Sequence, residues 1–221
     1  MKRAVDWSLY LVTDRDLAKG RSILRVVEQA VRGGVTVVQL REKDCSARDF
    51  VQLADEMKRL LAARGVPLII NDRVDVALAV QADGVHIGQT DMPYAHVRRL
   101  ARLGGRVGRN MLIGLSVETP AQADEAEGLD VDYLGVSPIF GTPTKPELQA
   151  VWGIEGLRGL RARSRHKLIA IGGINESNVD DVIRAGADGV AVVSAICSAD
   201  NPKEAAGRLR AIIDTARANA G

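Results

Sequence analysis

Gln39, Arg41 and Lys43 stand at alternate positions in the run Val37-Val38-Gln39-Leu40-Arg41-Glu42-Lys43. Alternate side chains of an extended segment share a face, so these three point one way while Leu40 and Glu42 point the other. An amide and two cations at one strand end make a grip for an anion with several oxygens. Arginine supplies a planar fork and lysine a point charge, and both suit phosphate. The same heptapeptide also reads as a strand that frays into a solvated, charged loop. What separates the two readings is where the other polar residues fall.

Apolar, β-branched runs alternate with longer Ala- and Leu-rich amphipathic segments. Candidate strands are Leu9–Val12, Thr36–Leu40, Leu68–Ile70, Gly84–Ile87, Leu112–Leu115, Tyr133–Val136, Leu168–Ile171 and Gly189–Val193. Each is short and nearly all apolar, as parallel strands covered by helices are. Helices are expected from Ser22, from Ser46 (with Asp49 as a capping box) to about Arg64, and over Arg73–Gln81 and Tyr94–Leu103. Others are expected over Pro120–Glu127 behind Thr119, Ile154–Arg163 and Glu176–Ala185, and from Asn201-Pro202 onward. Glycine recurs between a helix and the next strand, at Gly33-Gly34, Gly65, Gly84 and Gly189. It suits a left-handed helix end there. The pattern predicts an α/β fold, a (β/α)8 TIM barrel, with residues 1–221 as a single domain. The alternative is an open doubly wound sheet. Its dinucleotide-binding form lacks support, because no G-x-G-x-x-G follows the first strand.

The 221 residues suffice for one large domain, and with 46% hydrophobic but only 3% aromatic residues its core must be largely aliphatic. A net charge of +2 is too small to indicate a nucleic-acid or anionic-membrane partner. The first residues meet no long apolar run before Asp14, so no signal peptide is expected, and no stretch approaches the ~20 apolar residues of a membrane helix. Cys45 and Cys197 read as free thiols in a reducing cytoplasm, and no partner base marks either as a nucleophile.

In such a barrel the site lies at the C-terminal ends of the strands. Polar residues follow every candidate strand: Thr13-Asp14-Arg15, then Gln39, Arg41 and Lys43, then Asn71-Asp72-Arg73, and Gly88-Gln89-Thr90-Asp91. Ser116, Ser137, Gly172-Gly173 and Ser194 complete the rim. Asp72 and Asp91 are hard oxygen donors on neighbouring strands, suited to Mg²⁺ held jointly with substrate phosphates. Both are also good sites to cap the helix that follows. Gly172-Gly173-Ile174 and Val193-Ser194 lie where barrels bind a single phosphate; tight turns are the alternative. The long segment from Ser137 to about Gly153 carries Thr142, Pro143, Thr144 and a third cation, Lys145. It reads as a lid or binding loop, or as a tolerated insertion. His86 reads as a hydrogen-bonded core residue, His96 and His166 as solvated, and Trp7 and Trp152 as packing residues.

Assembled in order, these segments resemble the thiamine-phosphate synthase family from Leu9 to about Ile196. The resemblance rests on Val38-Gln39-Leu40-Arg41-Glu42-Lys43, Ile70-Asn71-Asp72-Arg73-Val74-Asp75, Gly84-Val85-His86-Ile87-Gly88-Gln89 and Thr142-Pro143-Thr144-Lys145-Pro146. Ile171-Gly172-Gly173-Ile174 and the run from Gly186 to Ser194 complete it. It implies a transferase that joins hydroxymethylpyrimidine diphosphate to a thiazole phosphate, with Mg²⁺ as cofactor. It also implies that Gln39, Arg41, Lys43 and Lys145 hold the diphosphate and that Asn71 and Ser116 meet the pyrimidine. Asp72 and Asp91 would hold the metal, and Thr142, Pro143, Thr144, Gly173, Val193 and Ser194 the thiazole phosphate. Arg41, Lys43, Ser116 and Lys145 would be the catalytic groups. The chain departs from the family's commonest pattern at Glu118, where histidine is frequent, and at Ser137, where glycine is. Rival expectations are a thiazole tautomerase-like isomerase, which needs no diphosphate or metal, and a non-catalytic barrel that binds thiamine precursors.

Overall fold

The structure is a computed structural model and describes residues 4–141 and 151–219. Among them, parallel strands close into an eight-stranded barrel in chain order. The strands are β1 (Leu9–Val12), β2 (Val37–Leu40), β3 (Leu68–Asn71), β4 (Gly84–Ile87), β5 (Leu112–Val117), β6 (Tyr133–Val136), β7 (Lys167–Ile171) and β8 (Gly189–Val192). The first helices are α1 (Ile23–Arg32), α2 (Ala47–Ala62), α3 (Val74–Ala79), α4 (Tyr94–Leu103) and α5 (Gly105–Asn110). The others are α6 (Pro120–Ala126), α7 (Gly153–Arg161), α8 (Val179–Arg184), α9 (Ser194–Cys197) and α10 (Pro202–Ala218). The closed barrel is the expected fold, and the open sheet is excluded. No helix of the described residues is long and apolar enough to cross a membrane.

Strand alternation sorts the core into two layers. Leu9, Leu11, Val38, Leu40, Leu68 and Ile70 face outward and pack with the helices. Trp7, Tyr10, Val12, Val37, Ile69, Leu112, Tyr133, Ile169 and Ala191 fill the barrel interior. The outer layer is mostly aliphatic, as composition required, while much of the small aromatic content is gathered inside the barrel. Each valine, leucine or isoleucine of these layers, fully buried, contributes about 1.5–3 kcal/mol.

Caps follow the sequence at α2, α6 and α10, where Ser46, Thr119 and Asn201 accept from the backbone N–H of Asp49, Gln122 and Glu204. Ser22 occupies the N-cap of α1 but makes no side-chain cap bond. Two helices were not foreseen. α9 is a single turn, and α5 is rich in glycine, which disfavours helix. Close packing compensates: a Cβ on Gly108 would lie 2.0 Å from the Ala101 carbonyl oxygen, so only glycine lets α5 sit against α4. α8 begins later than expected because Asn175 and Asn178 tie residues 175–178 into turns through their side-chain oxygens. The expected left-handed helix end is absent at Gly84 and also at Gly189. The glycine there clears space instead, since a Cβ would lie 1.7 Å from the Trp7 carbonyl oxygen.

Candidate active site

The C-terminal mouth of the barrel opens into a cavity of about 530 Å³. Gln39, Arg41, Lys43, Asn71, Asp72, Asp91, Ser116, Gly173, Val193 and Ser194 all line it. Thr142, Pro143, Thr144 and Lys145 lie outside the described residues. Glu118 and Ser137, the two departures from the family pattern, also face the cavity.

The β2 face behaves as its alternation requires. Val37 fills the interior, Gln39 and Arg41 follow it upward, and Lys43 extends the row from the loop. Glu42 turns away and pairs with Arg15, at 3.0 Å. Arg41 is held at both ends: its backbone N–H donates to Thr13 Oγ1 at 3.0 Å, and its Nη1 lies 3.5 Å from Asp14 Oδ2. The segment after β1 therefore aims the cation that β2 supplies.

Asp72 and Asp91 do not cap helices. Arg73 and Pro93 occupy the N-caps of α3 and α4, and neither helix receives a side-chain cap bond. Asp72 has φ +61°, a left-handed conformation that aspartate adopts at some cost. Asp91 Oδ2 accepts from the Gly88 N–H at 2.7 Å. Burial pushes the Asp72 carboxyl up to about 7, aided by a hydrogen bond and charge from Asp91 and opposed by Arg41 and Asn71. Two carboxylates close enough to share a proton are close enough to share a hard cation. No cluster of three or more His, Cys, Asp or Glu side chains is placed to hold a metal among the described residues. The pair thus fits an ion such as Mg²⁺, which takes few protein oxygens and completes its shell from water and phosphate.

The opposite wall is built differently. Gly172 and Gly173 have φ +103° and +66°, and a Cβ on either would lie within 2.8 Å of Pro138 or Phe140. Asn178 Nδ2 donates to the Gly173 carbonyl at 3.0 Å and fixes the turn. The glycines reduce side-chain bulk here, and Ile171, Ile174, Val193 and Ser194 line the rest of this wall.

The barrel interior below the mouth holds functional groups that the sequence reading undervalued. Tyr10, His86 and Tyr133 also line the cavity. His86 is hydrogen-bonded, as foreseen, with Nδ1 2.9 Å from Tyr133 Oη and Nε2 2.8 Å from Ser116 Oγ. The available signal was parity: His86 lies two residues before Gly88 and Tyr10 two before Val12, on the inward face. His166, expected in solvent, is buried and its Nε2 lies 3.1 Å from the Ala126 carbonyl oxygen. It supports the outer layer and stands apart from the cavity lining.

Fold and site together define a (β/α)8 barrel with a cationic, carboxylate-bearing mouth facing a wall of glycine and apolar residues. The family model for thiamine monophosphate synthase matches residues 9–196. The thiamine-phosphate synthase of Chloroflexus aurantiacus is 51% identical over 216 residues, covering 98% of this chain and 97% of that protein. That of Albidiferax ferrireducens is 54% identical over 206 residues, covering 93% and 91%. The solved thiamine phosphate pyrophosphorylase of Pyrococcus furiosus superposes with a TM-score of 0.84 at 35% identity, covering 96% and 97% of the two chains. The chain belongs to the thiamine monophosphate synthase family.

Proposed function

We propose that this chain is a cytoplasmic thiamine-phosphate synthase, a transferase that condenses hydroxymethylpyrimidine diphosphate with a thiazole phosphate. The observation that carries this reading is the two-sided mouth. Arg41, Lys43, Asp72 and Asp91 rise from one side, and Gly173, Val193 and Ser194 face them across the cavity. The first side suits a diphosphate, the second a lone phosphate.

In the reaction the carbon–oxygen bond to diphosphate breaks and its electron pair leaves with the diphosphate. Positive charge develops on the exocyclic carbon of the pyrimidine. The lone pair of the thiazole nitrogen then forms the new carbon–nitrogen bond. Arg41, held by Thr13 and Asp14, stabilises the departing anion with little reorganisation, and Lys43 and Lys145 add positive charge. Asp72 and Asp91 would hold Mg²⁺, which supplies further positive charge for the diphosphate oxygens. Gln39 joins the cations at the diphosphate and Asn71 and Ser116 orient the pyrimidine, while Gly173, Val193 and Ser194, with Thr142, Pro143 and Thr144, fix the acceptor by its phosphate. Holding both partners in line converts a bimolecular encounter into a local one. Among the described residues no side-chain nucleophile is required. Cys197 lies under the rim, and burial pushes its thiol up to about 11.

Incubation of the purified protein with both substrates and Mg²⁺ tests the reading. Thiamine phosphate and diphosphate should appear in equal amounts. Isomerised thiazole phosphate alone would make it a tautomerase, and binding without turnover would make it a non-catalytic barrel.

A further inference from the structure

A continuous row of hydrogen bonds crosses the barrel beneath the cavity. Gln39 Nε2 donates to Tyr10 Oη at 3.0 Å, and Tyr10 Oη lies 2.8 Å from Tyr133 Oη. Tyr133 Oη lies 2.9 Å from His86 Nδ1, and His86 Nε2 lies 2.8 Å from Ser116 Oγ. The members come from β2, β1, β6, β4 and β5. Tyr10 and Tyr133 are each 1% exposed.

Proton counting gives the row a direction. Tyr10 accepts from Gln39, so its single hydroxyl proton goes to Tyr133. Tyr133 has then accepted, and its own proton goes to His86 Nδ1. In its neutral form His86 must therefore carry its proton on Nε2 and donate to Ser116. Ser116 has accepted in turn, and among the described residues its hydroxyl proton has no other partner than the cavity. Bonds aligned in this way polarise one another, which strengthens the preferred direction. Burial pushes both phenols above their ordinary range, so each keeps its proton.

The surrounding sequence makes room for this row. A Cβ on Gly114 would lie 2.1 Å from Tyr133 Cζ, and one on Gly135 would lie 3.0 Å from His86 Cε1. The His86 and Tyr133 rings stack with centroids 5.5 Å apart and planes 25° apart. Glycine at two inward positions thus lets three polar rings occupy a barrel interior that aliphatic side chains would otherwise fill.

We propose that Gln39, Tyr10, Tyr133 and His86 form a one-way hydrogen-bond chain that holds the His86 proton on Nε2 and so leaves the Ser116 hydroxyl as an obligate donor to a ring nitrogen of the pyrimidine. The ligand half of this statement rests on the function proposed above. Pyrimidine ring nitrogens carry lone pairs and no proton, so they require a donor. A chain of the opposite sense would spend the Ser116 proton on His86 and present only lone pairs. Tyr10, Tyr133 and His86 are positioning residues in this scheme, acting on the substrate through Ser116.

The first measurement is nitrogen-15 NMR of the full-length free protein, with His86 assigned by loss of its signals in His86→Asn. A protonated Nε2 and a bare Nδ1 are expected. The Nδ1–H form, or an even mixture of both forms, overturns the proposal. Tyr10→Phe cuts the chain at its source, and the His86 preference should collapse toward a mixture; an unchanged Nε2–H form overturns the proposal. In steady-state kinetics the same variant should raise KM for the pyrimidine diphosphate about tenfold, the worth of one neutral hydrogen bond, and leave KM for the thiazole phosphate unaltered. Replacing the ring nitrogen that meets Ser116 by C–H should weaken binding about tenfold in the parent and little further in Tyr10→Phe. Equal losses in both proteins, for each of the two C–H analogues, would reduce the chain to a structural role. The two readings fail separately. A parent protein that makes no thiamine phosphate sinks the proposed function, whereas an active parent with the wrong His86 tautomer sinks only the chain.

Discussion

The two walls of the mouth are built from different residue types. In a barrel closed in chain order, β3 lies across from β7 and β4 across from β8. The wall from β2 to β4 carries Arg41, Lys43, Asp72 and Asp91, so its chemistry resides in side-chain charge. The wall after β7 and β8 carries Gly172, Gly173, Val193 and Ser194, so it offers no side-chain charge and, at the glycines, little bulk. A charge acts over several ångströms and tolerates small shifts, whereas a backbone cradle works only when nothing fills it. Damage to the first wall should therefore appear in the chemical step, and damage to the second in the acceptor's binding.

Arg41→Ala should produce the largest effect. Loss of one preorganised charge at a developing anion lowers kcat by about 10²–10³-fold. An unchanged single-turnover rate would remove Arg41 from the chemistry. Gly173→Ala tests the other wall. Its φ of +66° and a Cβ only 2.8 Å from Phe140 Cβ force strain or displacement of about 1–3 kcal/mol. KM for the thiazole phosphate should rise at least tenfold, with kcat for bound substrates much less affected. The reverse pattern, a kcat loss with KM intact, would erase the distinction between the walls.

The carboxylate pair sharpens the comparison through pH. Asp72 titrates near 7 when folded, raised from 3.8. A raised carboxyl favours folding while protonated, and that contribution is lost as pH rises through about 7. A cation binding the pair must displace the shared proton, so its affinity rises with pH and levels off above about 7. Mg²⁺ should raise the melting temperature more at pH 8 than at pH 6. Equal shifts at the two pH values would mean that the ion does not bind this pair. The smallest effect belongs far from both walls. Ser46→Ala removes the cap of α2 and costs about 1 kcal/mol, or about 2–4 °C in melting temperature, with kinetics unchanged.

Most of the side-chain wall was legible beforehand, because alternation and residue type announce it. Gln39, Arg41 and Lys43 share parity, and that parity survives into the cavity lining. The glycine wall was legible by position rather than chemistry. The ambiguity over Asp72 and Asp91 was real, since a carboxylate before a helix has the same local sequence whether it caps or ligates. Packing settled against capping by giving both helices other N-cap residues. The two helices that sequence reasoning missed, α5 and α9, are short, and α5 depends on contact with α4 rather than on its own propensity.

Sequence alone determined the strands, their inward and outward faces and the set of polar groups delivered to one rim, because each depends on a period of two or on neighbours a few residues away. Tertiary structure alone decided that Tyr10 meets Tyr133, 123 positions apart, and that His86 stands between Tyr133 and Ser116. The Tyr10–Tyr133 contact exists only once the barrel closes, because β1 and β6 are not neighbours, whereas His86 reaches Ser116 across the paired strands β4 and β5 and Tyr133 over β5.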